Sequence, residues 1–222
     1  MPQPGRMITR LDVDDPEALI LMLHGGKADS HQPVDDRSAS WRRAGWMMSQ
    51  IGGRAHGAGL GVWLLRYGVR GWNHRSASPP SPVSDALWAL DEVRRVHGAG
   101  LPVVLLGHSM GARTAVAVAD HPIVTGVVAL APWLPATDDI APLRGRRLAA
   151  AHGRSDKITS ARQTRAFCAR AETVAASVEF RDMGRVGHYM FRGIPAWNDF
   201  AASRALAFAR TTRDPCGADR DS

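Results

Sequence analysis

What most constrains this chain is a series of short apolar runs that lack a polar face. Ala18 to Leu23 (ALILML), Leu60 to Tyr67 (LGVWLLRY), Pro102 to Leu106 (PVVLL) and Val124 to Leu130 are continuous or nearly so. Arg147 to Ala151 and Ser177 to Phe180 complete the series. A strand with one wet face alternates apolar and polar residues. A strand apolar on both faces must be covered on both, as in a parallel sheet. Helical patterns lie between the runs: Ala39 to Ile51, Ser84 to His97 with Ser84 or Asp85 as cap, and Ala112 to Asp120. A further helix runs from a Ser160/Gln163 capping box to about Ala171, and the last spans Ala196 to Arg210. Strands alternating with helices specify an α/β fold, a doubly wound and mostly parallel sheet in a single domain. That domain is expected to cover residues 1–210, with Pro79, Pro80 and Pro82 marking a loop and residues 211–222 a flexible tail.

Composition removes several classes of function. With 222 residues, 45% hydrophobic and 22% charged, the chain has an ordinary globular balance and can build a core without cross-links. No run approaches the roughly 20 apolar residues that span a bilayer. The first residues lack the apolar core of a secretory signal, so no membrane partner and a cytoplasmic location are expected. Cys168 and Cys216 form neither a disulfide framework nor a metal-ligand spacing, and no metal or cofactor is expected. The net charge is +7, and 26 of the 28 basic residues are arginine. They are scattered from Arg6 to Arg220, the tightest cluster being Arg144, Arg146 and Arg147, without interleaved aromatics. A nucleic-acid partner is therefore not expected.

The decisive motif is Gly107-His108-Ser109-Met110-Gly111, directly after a buried strand and directly before a helix. A serine hydroxyl is a poor nucleophile and must be presented at a sharp turn where a base can reach it. The chain packs so tightly there that the positions two before and two after the serine call for glycine. Gly107 and Gly111 fill them, which describes a nucleophile elbow.

From this motif the sequence resembles the α/β-hydrolase superfamily, over about residues 8 to 210. The family's triad runs serine, acid, histidine along the chain. Asp156, in His152-Gly153-Arg154-Ser155-Asp156, resembles the family's H-G-x-x-D acid turn after a strand. His188, in Gly187-His188, follows the last strand and precedes the last helix. The resemblance implies that Ser109 attacks an acyl carbonyl, that His188 moves the proton and that Asp156 orients the imidazole. It also implies an oxyanion hole from the amide of Met110 and one from His24-Gly25-Gly26-Lys27, with Gly26 the chosen donor and Lys27 the neighbouring alternative. Asp138 and Asp139, after the Val124 to Leu130 run, are an alternative acid position, while Asp182 reads as a surface charge. His24 and His108 read as structural, and Cys168 as a small core residue.

Trp72 and Trp133, each in a loop after a strand, are candidates to wall the substrate pocket along with Lys27. Trp41, Trp46, Trp63, Trp88 and Trp197 read as packing residues. Only about sixteen residues separate the runs ending at Leu130 and starting at Arg147. The family's helical caps are inserted there and need several times that length, so a lidless minimal core is expected. Of the two antiparallel strands that open the full fold one is expected to be missing, and Met7 to Val13 supplies the other. The basic residues Lys27, Arg70, Arg75, Arg154, Lys157, Arg185 and Arg192 fall in loops on the catalytic rim, offset in part by Asp29, Asp35 and Asp36. The expectation is a serine hydrolase acting on a small-molecule carboxylic ester or thioester, with the basic rim favouring an anionic one. The alternatives are acyl transfer, carbon–carbon cleavage or a lyase step on the same residues, or a ligand-binding protein that keeps the fold. Aspartate-nucleophile relatives are excluded by Ser109 itself. Oligomeric state is left open.

Overall fold

The computed structural model describes residues 5–75 and 78–210; the tail expected at 211–222, with Cys216, lies outside them. Seven strands form one sheet: β1 (Met7–Leu11), β2 (Ala18–Leu23), β3 (Leu60–Arg66), β4 (Val103–His108), β5 (Val124–Leu130), β6 (Arg147–His152) and β7 (Ser177–Asp182). Their order is β1-β3-β2-β4-β5-β6-β7. Only β1 runs antiparallel, along β3; the other neighbours are parallel.

Five helices cover the sheet: α1 (Ala39–His56), α2 (Ser81–His97), α3 (Met110–Ala117), α4 (Ala161–Ala171) and α5 (Ile194–Arg210). The strand residues divide between two cores by parity. Leu19, Leu21, Trp63, Leu105 and Ala129 pack under α2, α3 and α4. Ile20, Met22, Leu64, Leu106 and Val128 pack under α1 and α5. This is why β2 to β6 have no polar face: each side chain direction is buried, whereas the edge strand β7 has no buried residue.

Several boundaries differ from the sequence reading. Helix α2 begins at Ser81, with Pro80 rather than Ser84 or Asp85 before it, because a proline early in the first turn sacrifices no helical bond. The Asp85 carboxylate instead accepts a hydrogen bond from the Gly68 amide at 2.9 Å. Helix α1 continues to His56, five residues past Ile51, since Gly52 and Gly53 are tolerated where Gly52 and Ala55 pack into the core. Ser160 does cap α4, its hydroxyl accepting from the Gln163 amide at 3.3 Å. Between β5 and β6 there is only a 3-10 turn, Ala141–Leu143, and no cap domain. No helix among the described residues is long and apolar enough to cross a membrane.

The chain enters the middle of the sheet at β2, moves outward to β3, then crosses back to β4 on the other side. The carboxyl ends of β2 and β4 therefore face a topological switch point, where doubly wound sheets open a crevice. Leu23 and Gly107 are register partners there. The loops leaving both strands meet at that crevice.

Candidate active site

Ser109 sits between β4 and α3 with φ 56° and ψ −117°, a conformation that costs of order 1–3 kcal/mol outside glycine. The surrounding backbone imposes it. The Ser109 amide donates to Leu130 O at 3.0 Å, and its carbonyl accepts from Ala112, Arg113 and Trp133 amides at 3.1 to 3.3 Å. The flanking glycines are obligatory for close approach. A Cβ on Gly107 would lie 2.5 Å from the Ala112 backbone, and one on Gly111 2.0 Å from Leu23 O. The turn thus wedges α3 against the end of β2 and leaves the serine hydroxyl pointing outward.

The hydroxyl of Ser109 lies 3.0 Å from His188 Nε2, and His188 Nδ1 lies 2.8 Å from Asp156 Oδ2. With Nδ1–H donated to the carboxylate, Nε2 holds a lone pair and accepts from the serine. His188 is fixed from behind. His108 Nε2 is 3.0 Å from the His188 carbonyl oxygen, and Met190, two residues on, is buried in the α1/α5 core at φ 56°.

Asp156 is surrounded by donors. Oδ1 accepts from the Ile158 and Thr159 amides at 2.8 and 2.9 Å. Oδ2 accepts from His188, from the Thr159 hydroxyl at 2.9 Å and from His152 Nε2 at 3.1 Å. Burial opposes its charge, but the hydrogen bonds from His152, His188 and the Thr159 and Ile158 amides outweigh it and hold the carboxyl well below the usual range. His152 is itself oriented by Thr164, whose hydroxyl lies 2.8 Å from Nδ1. His152, Thr159 and Thr164 were not singled out from sequence. The only signal was that His152 opens the acid turn and Thr159 follows Asp156 by three.

The loop after β2 lies across the elbow. Gly26 is exposed while Gly25 is buried, and a Cβ on Gly26 would fall 2.4 Å from Met110 Cε and 2.5 Å from Arg70 O. Lys27 differs from the alternative held open for it. Its amide donates to Arg70 O at 2.8 Å and its carbonyl accepts from the Trp72 amide at 2.8 Å. Its backbone is committed to the neighbouring loop and offers no donor to a substrate.

A cleft of about 760 Å³ opens over the serine, lined by Gly25, Gly26, Ser109, His188 and by residues of α1 and the His188 loop. Among its lining residues are Arg42, Arg43, Trp46, Ile158, Tyr189 and Phe191. Trp46, expected to be a packing residue, is 39% exposed there. Ala39, Arg42, Arg43 and Trp46 recur at helical spacing on one face of α1. Arg42 and Arg43 were not singled out from sequence, and the one signal available was their position in the first turns of the helix after β2.

Lys27, Trp72 and Trp133 do not line this cleft. Trp72 is buried in the α2/α3/α4 core, and Trp133 packs against it. Their rings flank the Arg113 guanidinium at 4.3 and 4.4 Å. Arg113 in turn makes two hydrogen bonds to Asp138, at 2.7 and 2.6 Å. Asp138 therefore serves Arg113, while Asp139 Oδ1 accepts from the Ala141 amide; neither is paired with His188. Of the basic rim residues, Arg70 pairs with Asp35 and Arg154 with Asp182, and none of the seven lines the cleft. Cys168 is buried in the core beneath α4, which pushes its thiol up to about 12. Among the described residues, no group of three or more His, Cys, Asp or Glu side chains is placed to hold a metal ion.

The sequence matches the model of a family described as the alpha/beta hydrolase family over residues 20–221. No curated protein matches it. Solved structures resemble it at low identity. An alpha-beta serine hydrolase homologue from Coxiella burnetii is 18% identical over 90% of each chain, with a TM-score of 0.65. A serine hydrolase without a lid from Xanthomonas campestris is 16% identical over 97% of this chain and 93% of its own, with a TM-score of 0.62. Est1E from Butyrivibrio proteoclasticus, solved with ferulic acid bound, is 12% identical over 91% and 94%, with a TM-score of 0.66.

Proposed function

Because the chain belongs to the alpha/beta hydrolase family, we propose that it is a serine hydrolase that cleaves a carboxylic ester or thioester through an acyl-enzyme. The observation that carries this reading is the continuous relay from Ser109 Oγ through His188 to Asp156, at 3.0 and 2.8 Å. Ser109 attacks the acyl carbonyl carbon while its proton passes to His188 Nε2. The tetrahedral oxyanion is received by the amides of Met110 and Gly26. Collapse expels the alcohol or thiol, which takes the proton from Nε2. A water then gives its proton to His188, attacks the acyl-serine and releases the acid, restoring Ser109. Asp156 stays ionised throughout and stabilises the imidazolium. The absence of an inserted cap supports hydrolysis, since water reaches the acyl-enzyme as freely as substrate does.

A fluorophosphonate probe should label the wild-type protein on Ser109 and leave Ser109→Ala unlabelled. A panel of p-nitrophenyl esters of graded chain length, with an acyl-CoA and a lactone, then separates esterase from thioesterase activity. An unlabelled wild type that turns over none of them would refute the reading.

A further inference from the structure

The cleft above Ser109 carries an uncompensated positive charge. Among the described residues that line it there is no Asp or Glu, yet both Arg42 and Arg43 do. Several other partly buried guanidiniums have a carboxylate partner. Arg113 has Asp138, Arg10 has Glu92 at 2.8 Å, and Arg66 has Asp36 at 2.8 Å. Arg43 makes no ion pair among the described residues. Its Nη2 donates to Met190 O at 3.2 Å, and its buried Nε has no hydrogen-bond partner.

Apart from that one hydrogen bond, what flanks Arg43 is aromatic. Its guanidinium carbon lies 5.5 Å from the Trp46 ring and 5.2 Å from the Phe191 ring. Such faces orient a guanidinium without neutralising it, so the N–H groups not bonded to Met190 still call for an anionic acceptor. Burial lowers its pKa from the usual arginine value, and its charge in turn disfavours protonation of neighbouring His108. Phe191, 69% exposed, and Tyr189, 53% exposed, stack at 5.8 Å beside it. The same wall therefore offers apolar surface next to a charge with no counter-ion among the described residues.

We propose that Arg43, assisted by Arg42, is an anion subsite of the catalytic cleft, and that the ester cleaved there bears a carboxylate on the part of the molecule lying along α1. This rests on the serine hydrolase reading above. The carboxylate accepts from the guanidinium N–H groups not bonded to Met190, and the body of the substrate lies against Trp46, Tyr189 and Phe191. Because Arg43 also ties down the Met190 carbonyl, its loss affects the His188 loop as well. The discriminating quantity is therefore a ratio between substrates rather than a rate.

Two matched pairs test it. Mono-p-nitrophenyl glutarate against p-nitrophenyl valerate places the charge on the acyl side, and 4-acetoxybenzoate against its methyl ester places it on the alcohol side. In the wild type one anionic ester should exceed its neutral partner in kcat/KM by about tenfold or more. The advantage should shrink in about 0.5 M salt. Arg43→Gln should abolish the ratio and Arg43→Lys should keep part of it. Calorimetric titration of 3-phenylpropionate into Ser109→Ala reads the subsite without catalysis, and adding Arg43→Gln should remove the binding. Hydrolysis of neutral and anionic partners at equal kcat/KM, with no binding of the carboxylate, overturns the subsite and leaves the hydrolase reading intact. Carboxylate binding that depends on Arg43, in a protein that no fluorophosphonate labels, supports the subsite and overturns the hydrolase reading.

Discussion

At the scale of single residues, Asp156 and the buried histidines make opposite uses of burial. Asp156 is charged because five donors converge on its two oxygens. Asp156→Asn keeps the shape but removes the acceptor that selects the His188 tautomer, and a loss of about 10⁴ in kcat is expected. Asp138→Asn should instead act on stability, through Arg113. Rates on a p-nitrophenyl ester and thermal melts of both variants check the assignment. His24 is fully buried and His108 is partly buried beside the cleft, and both stay neutral. Burial is the main cause, lowering them from 6.5 to about 4 and about 3. Unfolded, both bind protons near pH 6.5 that the folded chain refuses. Stability is therefore complete above that pH and falls as pH drops through the window toward 4. Urea midpoints should be lower at about pH 5 than at about pH 7, and the decline should be shallower in His108→Asn. A midpoint independent of pH across that range would show that these histidines protonate freely in the fold.

At the scale of elements, the elbow is a junction of three pieces: the end of β4, the start of α3 and the end of β2. Gly111 is where α3 touches β2, and a methyl group there meets a carbonyl oxygen at 2.0 Å. Backbone on both sides leaves nothing flexible to yield. Gly111→Ala should cost about 3 kcal/mol or more of unfolding free energy, the upper end for overpacking, as measured by urea denaturation. A loss below about 1 kcal/mol would mean that the helix can retreat from the strand. This junction was legible in sequence, because a nucleophile turn of five residues is a local pattern between a strand and a helix. The strands were legible too, since burial on both faces removes all alternation. The α2 cap was misjudged: Ser84 and Asp85 look like cap residues, but Pro80, Ser81 and Pro82 set the helix start earlier. Trp72 and Trp133 were placed at the right edge of the sheet and on the wrong side of it. Loop residues carry no periodicity that says which face they turn to. They turn to the α3 side and clasp Arg113.

At the scale of the whole molecule, the short β5–β6 connection leaves the cleft uncovered, and this bears on kinetics. Among the described residues no element is inserted over the cleft for an oil–water interface to displace. The rate on a long-chain p-nitrophenyl ester should follow monomer concentration smoothly through the critical micelle concentration. A sharp rise at that point would reveal a moving cover. The α/β architecture, the strand-end positions of Ser109, Asp156 and His188, and the short β5–β6 connection were all legible in the amino-acid order. Each of these follows from local pattern or from the length between patterns. What surrounds the serine depends on packing between elements far apart in the chain. Packing at the switch point brought the first turns of α1 over Ser109, so that Arg42, Arg43 and Trp46 became cleft wall. Three-dimensional pairing then spent Arg70, Arg154 and Arg113 on carboxylates while leaving Arg43 between two aromatic rings. Charge in a sequence is a sum; whether a given arginine is neutralised depends on which acid the fold brings within reach of it.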